Sequence, residues 1–192
     1  GKRALVITDG IFSMRGDNAP LDILVEICHK YEDQFEQGII TIADDSHGVG
    51  AFGKTGRGTE EHTNAKVDIL IGTLGKAFGV NGGYVVSSKT IVAYLRETAP
   101  MYIYSNPITV GECYAALKAL EILQGPEGPQ ILEHLRKVTK QFRNGLKVVV
   151  GEVIACCADH ASVLQRFGSL ERTEIQEGLA SRGLQIAALH DH

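Results

Sequence analysis

Short apolar runs alternate with amphipathic segments along most of this chain. The apolar runs predict four buried strands that end at polar or turn-forming residues, over residues 4–8, 38–43, 67–72 and 83–87. Apolar residues at helical spacing predict four helices, over residues 20–35, 89–97, 107–123 and 131–146. Because helices separate short apolar strands, we expect an α/β fold whose sheet is covered on both faces.

Composition and charge exclude several classes of partner. The net charge is −4 and the cationic residues form no run, so nucleic acid is not expected as a main partner. No apolar run approaches the roughly 20 residues of a membrane span. The cysteines lack metal-binding spacing, which predicts free thiols in a reducing compartment such as the cytoplasm; they are Cys28, Cys113, Cys156 and Cys157.

A glycine-flanked lysine, Lys76, follows the third predicted strand. A phosphate-binding loop for nucleoside triphosphates would need glycine where Leu70 stands and a hydroxyl residue where Ala77 stands. The functional interpretation that remains is a partly desolvated lysine nucleophile, with Thr73 offering a hydroxyl to a phosphate oxygen. The structural alternative is a loop lysine that faces solvent.

A carboxylate and an imidazole, Asp44 and His47, follow the second predicted strand. A buried aspartate opposite the nitrogen of an aromatic heterocycle keeps that nitrogen protonated and strengthens the ring as an electron sink. The alternative is that Asp44 or Asp45 caps a helix and that His47 is an exposed neighbour. Ligands in α/β sheets collect beyond the carboxyl ends of strands, so these two strand ends indicate one site.

Six stretches taken together resemble the α-oxoamine synthase family of pyridoxal-phosphate enzymes. They follow the family's order and approximate spacing over residues 4–145, and they are TDGIFSM (8–14), DDSHGVG (44–50), GRGTEEH (56–62), VDILIGTLGKA (67–77), GGY (82–84) and YSNP (104–107). The resemblance implies a fragment of the fold-type I (aspartate aminotransferase-like) large domain over residues 1–128. Residues 129–192 would form a connecting helix and part of a small α/β domain.

The resemblance also implies roles for individual residues around pyridoxal 5'-phosphate. Lys76 would bind the coenzyme covalently and later remove the α-proton of the amino acid. Asp44 would pair with the pyridine nitrogen, and His47 would contact the 3-hydroxyl of the ring. Ser13 would donate a hydrogen bond beside the cofactor, and Thr73 would bind its phosphate.

Ser105 and Asn106 resemble the family's segment that crosses to the partner subunit and helps to hold its phosphate. The resemblance therefore implies a homodimer whose active sites are shared between the subunits. The alternative for these two residues is a helix N-cap before Pro107, and the two roles are compatible.

The implied reaction transfers an acyl group from an acyl-CoA to a small amino acid. Ser46 before His47 and the segment 72–76 look more like the glycine C-acetyltransferase branch, which condenses glycine with acetyl-CoA to 2-amino-3-ketobutyrate. The alternatives are a decarboxylative condensation of alanine with a pimeloyl thioester, a fold-type I aminotransferase, and an inactive fragment.

The resemblance fades from about residue 148, where the segment around Cys156 and Cys157 does not match the family. A helix over residues 171–182 and a strand over residues 183–186 are still predicted there. Full-length family members extend beyond both ends of this chain, so we expect the isolated 192 residues to bind the coenzyme poorly.

Overall fold

The computed structural model of the protein describes residues 1–14 and 16–150, with side chains as far as residue 145. The predicted helix over 171–182, the predicted strand over 183–186, and Cys156 and Cys157 lie outside the described residues. The chain falls into two units, Gly1–Ser13 with Asn18–Glu133, and Met14–Asp17 with the residues from His134 onward. The predicted domain boundary after residue 128 stays a prediction.

The first unit contains a four-stranded sheet in the order β1-β2-β3-β4. All four predicted strands are confirmed, as β1 (Ala4–Asp9), β2 (Ile39–Asp44), β3 (Ile69–Thr73) and β4 (Gly83–Val86). The first three strands are parallel, whereas β4 runs antiparallel to β3. The connection between β3 and β4 is too short for the helical crossover that a parallel neighbour requires, so the chain turns back.

The described part of the chain contains six helices. The four predicted helices are confirmed with shifted ends, and two short ones, α2 and α4, were not predicted. A 3-10 turn over Glu32–Gln34 extends the first helix. The bounds are α1 (Leu21–Tyr31), α2 (Thr59–Thr63), α3 (Lys89–Thr98), α4 (Pro100–Tyr104), α5 (Val110–Gln124) and α6 (Gly128–Val150).

The start of α5 corrects the predicted helix N-cap at Ser105 and Asn106. The N-cap is Thr109, whose hydroxyl accepts a hydrogen bond from the backbone N–H of Glu112. The Glu112 carboxylate accepts in return from the backbone N–H of Thr109, at 2.6 Å. This reciprocal capping box satisfies two donors of the helix end, so the helix begins three residues later than Pro107.

A small hydrophobic core lies between one face of the sheet and α1. It contains Ala19, Leu21 and Ala43, and the partly buried residues packed against it are Phe12, Ala65, Val67 and Leu70. The opposite face of the sheet is exposed at Leu5 and Ile7, by 59% and 68%. Among the described residues the second face is therefore open at β1 and only partly buried at β2 and β3, so the prediction of cover on both faces is not met in full.

The apolar stripe on α5 is also more exposed than its sequence predicts. Val110, Tyr114 and Leu117 are apolar, but all three are exposed. They lie at helical spacing on one side of α5. Apolar spacing identifies a side of a helix that favours burial, but it does not say which element provides the cover.

Leu21→Ala is expected to lower the free energy of unfolding by about 2–5 kcal/mol, because it leaves a cavity in a fully buried position. Urea unfolding of the purified protein measures this change. Ile23→Ala, on the exposed side of the same helix, is the matched control and should change stability by less than about 0.5 kcal/mol. Equal losses in the two variants would contradict the assignment of the core.

Candidate active site

The carboxyl ends of the three parallel strands meet at one edge of the sheet. Asp9 pairs with Asp44 in the register of β1 and β2, and Asp44 pairs with Ile71 in the register of β2 and β3. Neighbouring strands lie about 4.8 Å apart. Asp44 and Thr73 therefore end adjacent strands, and Lys76 follows Thr73 by three residues at the same edge.

Lys76 lies in a tight loop that carries the chain from β3 back into β4. The backbone N–H of Leu74 donates to the carbonyl of Gly82 at 2.9 Å, and that of Val80 donates to the carbonyl of Leu74 at 2.9 Å. The Lys76 side chain is exposed, so the partial desolvation predicted for it is not observed. Its amine makes no hydrogen bond or ion pair with any residue that the structure describes.

The Thr73 hydroxyl braces the start of this loop. It donates to the carbonyl of Gly82 at 3.1 Å and accepts from the backbone N–H of Gly75 at 3.1 Å. A hydroxyl has one hydrogen to donate. Donation to a phosphate, the role that the resemblance implies, would require this hydrogen to turn away from Gly82.

Asp44 and His47 lie on the turn that follows β2. One carboxylate oxygen of Asp44 accepts from the backbone N–H of Ser46 at 3.0 Å, which fixes the first step of the turn. Asp44 is half-buried and His47 is exposed. The burial predicted for the strand-end aspartate is found instead at its neighbour Asp45.

Asp45 is the residue at this edge whose importance the sequence did not reveal. Its side chain is fully buried, and its two carboxylate oxygens accept from the backbone N–H and the hydroxyl of Thr59, at 2.6 and 2.7 Å. Burial raises the pKa of Asp45, while the hydrogen bonds from Thr59 act in the opposite direction. Asp45 is not a conventional N-cap, which would directly precede its helix. Its carboxylate instead binds the first turn of α2, fourteen residues later in the chain.

The remaining predicted residues, Ser13, Ser105 and Asn106, lie in other segments of the chain. Ser13 is exposed in the turn that follows β1. The hydroxyl of Ser105 donates to the carbonyl of Met101 at the end of α4, and Asn106 is exposed. Within residues 1–14 and 16–145, no hydrogen bond joins Ser13, Ser105 or Asn106 to the Asp44 and Lys76 segments.

Two other kinds of site have no support in the described residues. No group of three or more histidine, cysteine, aspartate or glutamate side chains that could hold a metal ion occurs in the part of the chain that the structure describes. No described helix combines the length and the apolar character needed to cross a bilayer.

The side chains at this edge fit the donor set that pyridoxal phosphate requires. A carboxylate that could face the ring nitrogen comes from Asp44, and an amine without a competing partner among the described residues comes from Lys76. The hydroxyl of Thr73 and the imidazole of His47 are further polar groups at the same edge. The amine suits the aldehyde of the coenzyme, the carboxylate suits its pyridine nitrogen, and the hydroxyl suits its phosphate.

The chain was compared with protein families and with known proteins. The family model for aminotransferase class I and II matches residues 1–188. The 8-amino-7-oxononanoate synthase of Thermosipho melanesiensis is 41% identical over 148 residues, which cover 76% of this chain and 36% of that protein.

Solved structures give the same picture. Serine palmitoyltransferase from Sphingomonas wittichii matches with a TM-score of 0.66 and 30% identity, over 76% of this chain and 35% of that one. A high-resolution structure of SPT with its PLP internal aldimine matches with a TM-score of 0.66 and 28% identity, over 77% of this chain and 36% of that one. The chain thus spans about a third of the length of these proteins.

The extent of the family match decides the assignment. It runs through nearly the whole chain, including every strand and helix described above. The α/β sheet is the observed part of the predicted fold-type I fragment. The chain belongs to the aminotransferase class I and II family, which depends on pyridoxal phosphate.

Proposed function

We propose that this chain is the coenzyme-binding part of an α-oxoamine synthase, an enzyme that joins a small amino acid to an acyl thioester. The observation that carries the proposal is that Asp44 ends β2 and that Lys76 follows the end of the adjacent parallel strand β3 by three residues. The similarity to 8-amino-7-oxononanoate synthases and to serine palmitoyltransferase supports it. Because the chain spans about a third of these relatives, the proposal concerns the complete protein.

Each residue at the edge has a proposed task. Bound pyridoxal phosphate supplies a ring that accepts negative charge from the α-carbon of an amino acid. The Lys76 amine holds the coenzyme, and once the substrate has displaced it, Nζ takes the α-proton. Asp44 keeps the ring nitrogen protonated through its negative charge, and His47 hydrogen-bonds the 3-hydroxyl.

Thr73 is proposed to bind the coenzyme phosphate, and Ser13 to donate a hydrogen bond beside the ring. Thr73 ends β3, and its hydroxyl would have to give up its hydrogen bond to the carbonyl of Gly82 to donate to a phosphate. Ser105 and Asn106 are proposed to reach the phosphate of a second subunit. This last role makes the enzyme a homodimer, and the oligomeric state in solution tests it.

The relatives favour a different substrate pair from the one that the residues predict. Ser46 before His47 and the segment 72–76 favour glycine and acetyl-CoA, as in glycine C-acetyltransferase. Curated relatives at about 40% identity include two 8-amino-7-oxononanoate synthases, and identity over 148 residues outweighs a few residues of two short segments. We therefore propose the decarboxylative condensation of alanine with a pimeloyl thioester, and keep glycine with acetyl-CoA as the second candidate.

A substrate comparison with the complete protein tests the proposal. Alanine with a pimeloyl thioester is expected to release thiol and carbon dioxide at least about tenfold faster than glycine with acetyl-CoA, since apolar pockets discriminate by such factors. Thiol release is followed with a thiol reagent, and carbon dioxide with a carboxyl-labelled amino acid. Faster thiol release from glycine and acetyl-CoA than from alanine and the pimeloyl thioester would support the second candidate. Amino transfer to a keto acid without thiol release would contradict both.

A further inference from the structure

The Asp45 carboxylate lies at a junction of chain segments behind the proposed coenzyme site. Asp45 and Thr59 are both fully buried. The Thr59 backbone N–H and hydroxyl donate to separate oxygens of the carboxylate, at 2.6 and 2.7 Å. Hydrogen bonds to an ionised acceptor are shorter and stronger than neutral ones. Asp45 is thus held from the start of α2.

Three glycines close around the same carboxylate. A Cβ atom built on Gly10, Gly48 or Gly58 would overlap the carboxylate oxygens of Asp45. Gly10 follows β1, Gly48 lies in the turn after β2, and Gly58 precedes α2 with a φ of 86°. These segments approach one another because glycine leaves room for the carboxylate.

The backbone of Asp45 extends the junction to the residues of the site. Its N–H donates to the carbonyl of Ile71 at 2.9 Å, two residues before Thr73. Its carbonyl accepts from the N–H groups of Gly48 and Val49, at 2.9 and 3.0 Å, which closes the turn that carries His47. One residue therefore connects the His47 turn to the strand that leads to Lys76.

We infer that Asp45 is a positioning residue, which holds Asp44 and His47 in a fixed relation to the end of β3 through its hydrogen bonds to Thr59. Because its side chain is fully buried, we assign it no contact with the coenzyme. The inference rests on the proposed function, because the roles of Asp44 and His47 come from it.

The free-energy cost of burial argues against a purely space-filling role for Asp45. Burial raises its pKa, and the charge of Asp44 adds to that rise against the effect of Thr59. Burial of a carboxyl group costs solvation free energy that an apolar side chain at the same position would not lose. A carboxylate at this junction is therefore explained better by the geometry it imposes than by stability.

The test uses Thr59→Val and Asp45→Asn in the complete protein, with Thr59→Ser as the matched control that keeps the hydroxyl. Two quantities are measured without substrates: the dissociation constant of pyridoxal phosphate, and the pH midpoint of the absorbance of the bound coenzyme. We expect coenzyme affinity to fall about tenfold in Thr59→Val and Asp45→Asn. The midpoint should move by about 0.5–1 pH unit. Thr59→Ser should match the parent in both quantities.

Lower melting temperatures with an unchanged dissociation constant and an unchanged pH midpoint would overturn the inference, because a purely structural residue behaves in that way. If Asp45→Asn does not fold, the Thr59→Val and Thr59→Ser pair decides alone. A parent protein that fails to bind the coenzyme would sink the proposed function together with the inference. If the parent protein binds the coenzyme but the variants do not differ from it, only the inference about Asp45 is wrong.

Discussion

Lys76→Ala is expected to abolish covalent binding of pyridoxal phosphate and to lower the rate of condensation by at least about 10²–10⁴-fold. The amine is proposed both to hold the coenzyme and to take the α-proton, so its removal eliminates two functions at once. Borohydride reduction followed by peptide mass spectrometry locates the modified lysine. Thiol release under saturating substrates measures the rate.

Two further variants separate the amine from its charge. Lys76→Arg keeps the positive charge, but a guanidinium does not lose its proton in proteins and cannot act as a base. It should therefore be as inactive as Lys76→Ala. Lys66→Ala removes an exposed lysine three residues before the amino end of β3 and should leave both measurements unchanged. Reductive labelling of another lysine in the parent protein would disprove the assignment of Lys76.

The strands, and the positions of Asp44 and Thr73 at strand ends, could be predicted because both depend on local sequence. An apolar run of strand length, ended by a polar residue, indicates where a strand stops. Asp44 and Thr73 stand at such stops, and the register of β2 and β3 makes these ends neighbours. Sequence alone therefore predicted the shared edge that carries the proposed function.

Long-range geometry could not be predicted in this way. The partner of Asp45 is Thr59, fourteen residues away, and nothing in the local pattern of two adjacent aspartates shows which one is buried. The predicted N-cap before Pro107 failed for a related reason. Ser105 and Asn106 have capping side chains, but Thr109 also has a glutamate three residues later that completes the reciprocal pair.

The burial of apolar surfaces was the other feature that the sequence did not predict correctly. The strand sequences are apolar on both sides, which predicts two buried faces, yet Leu5 and Ile7 are exposed among the described residues. The stripe of Val110, Tyr114 and Leu117 on α5 behaves in the same way. An apolar pattern reports that a surface favours burial, but the covering element is set by tertiary contacts that periodicity does not encode.

Asp44→Asn is expected to lower the rate of condensation by about 10²–10³-fold while leaving the fold intact. The amide oxygen can still accept the hydrogen bond from the backbone N–H of Ser46, so the turn should keep its geometry. The negative charge that is proposed to keep the ring nitrogen protonated is lost. Steady-state thiol release measures the rate, and thermal unfolding checks the fold.

Asp9→Asn is the matched control for this prediction. Asp9 ends β1 in register with Asp44 and carries the same charge at the same edge of the sheet, one strand farther from Lys76. If the site needs a carboxylate at one particular strand end, Asp9→Asn should retain most of the activity. Comparable losses in the two variants would mean that the charge of the whole edge matters, and the pairing of Asp44 with the ring nitrogen would have to be abandoned.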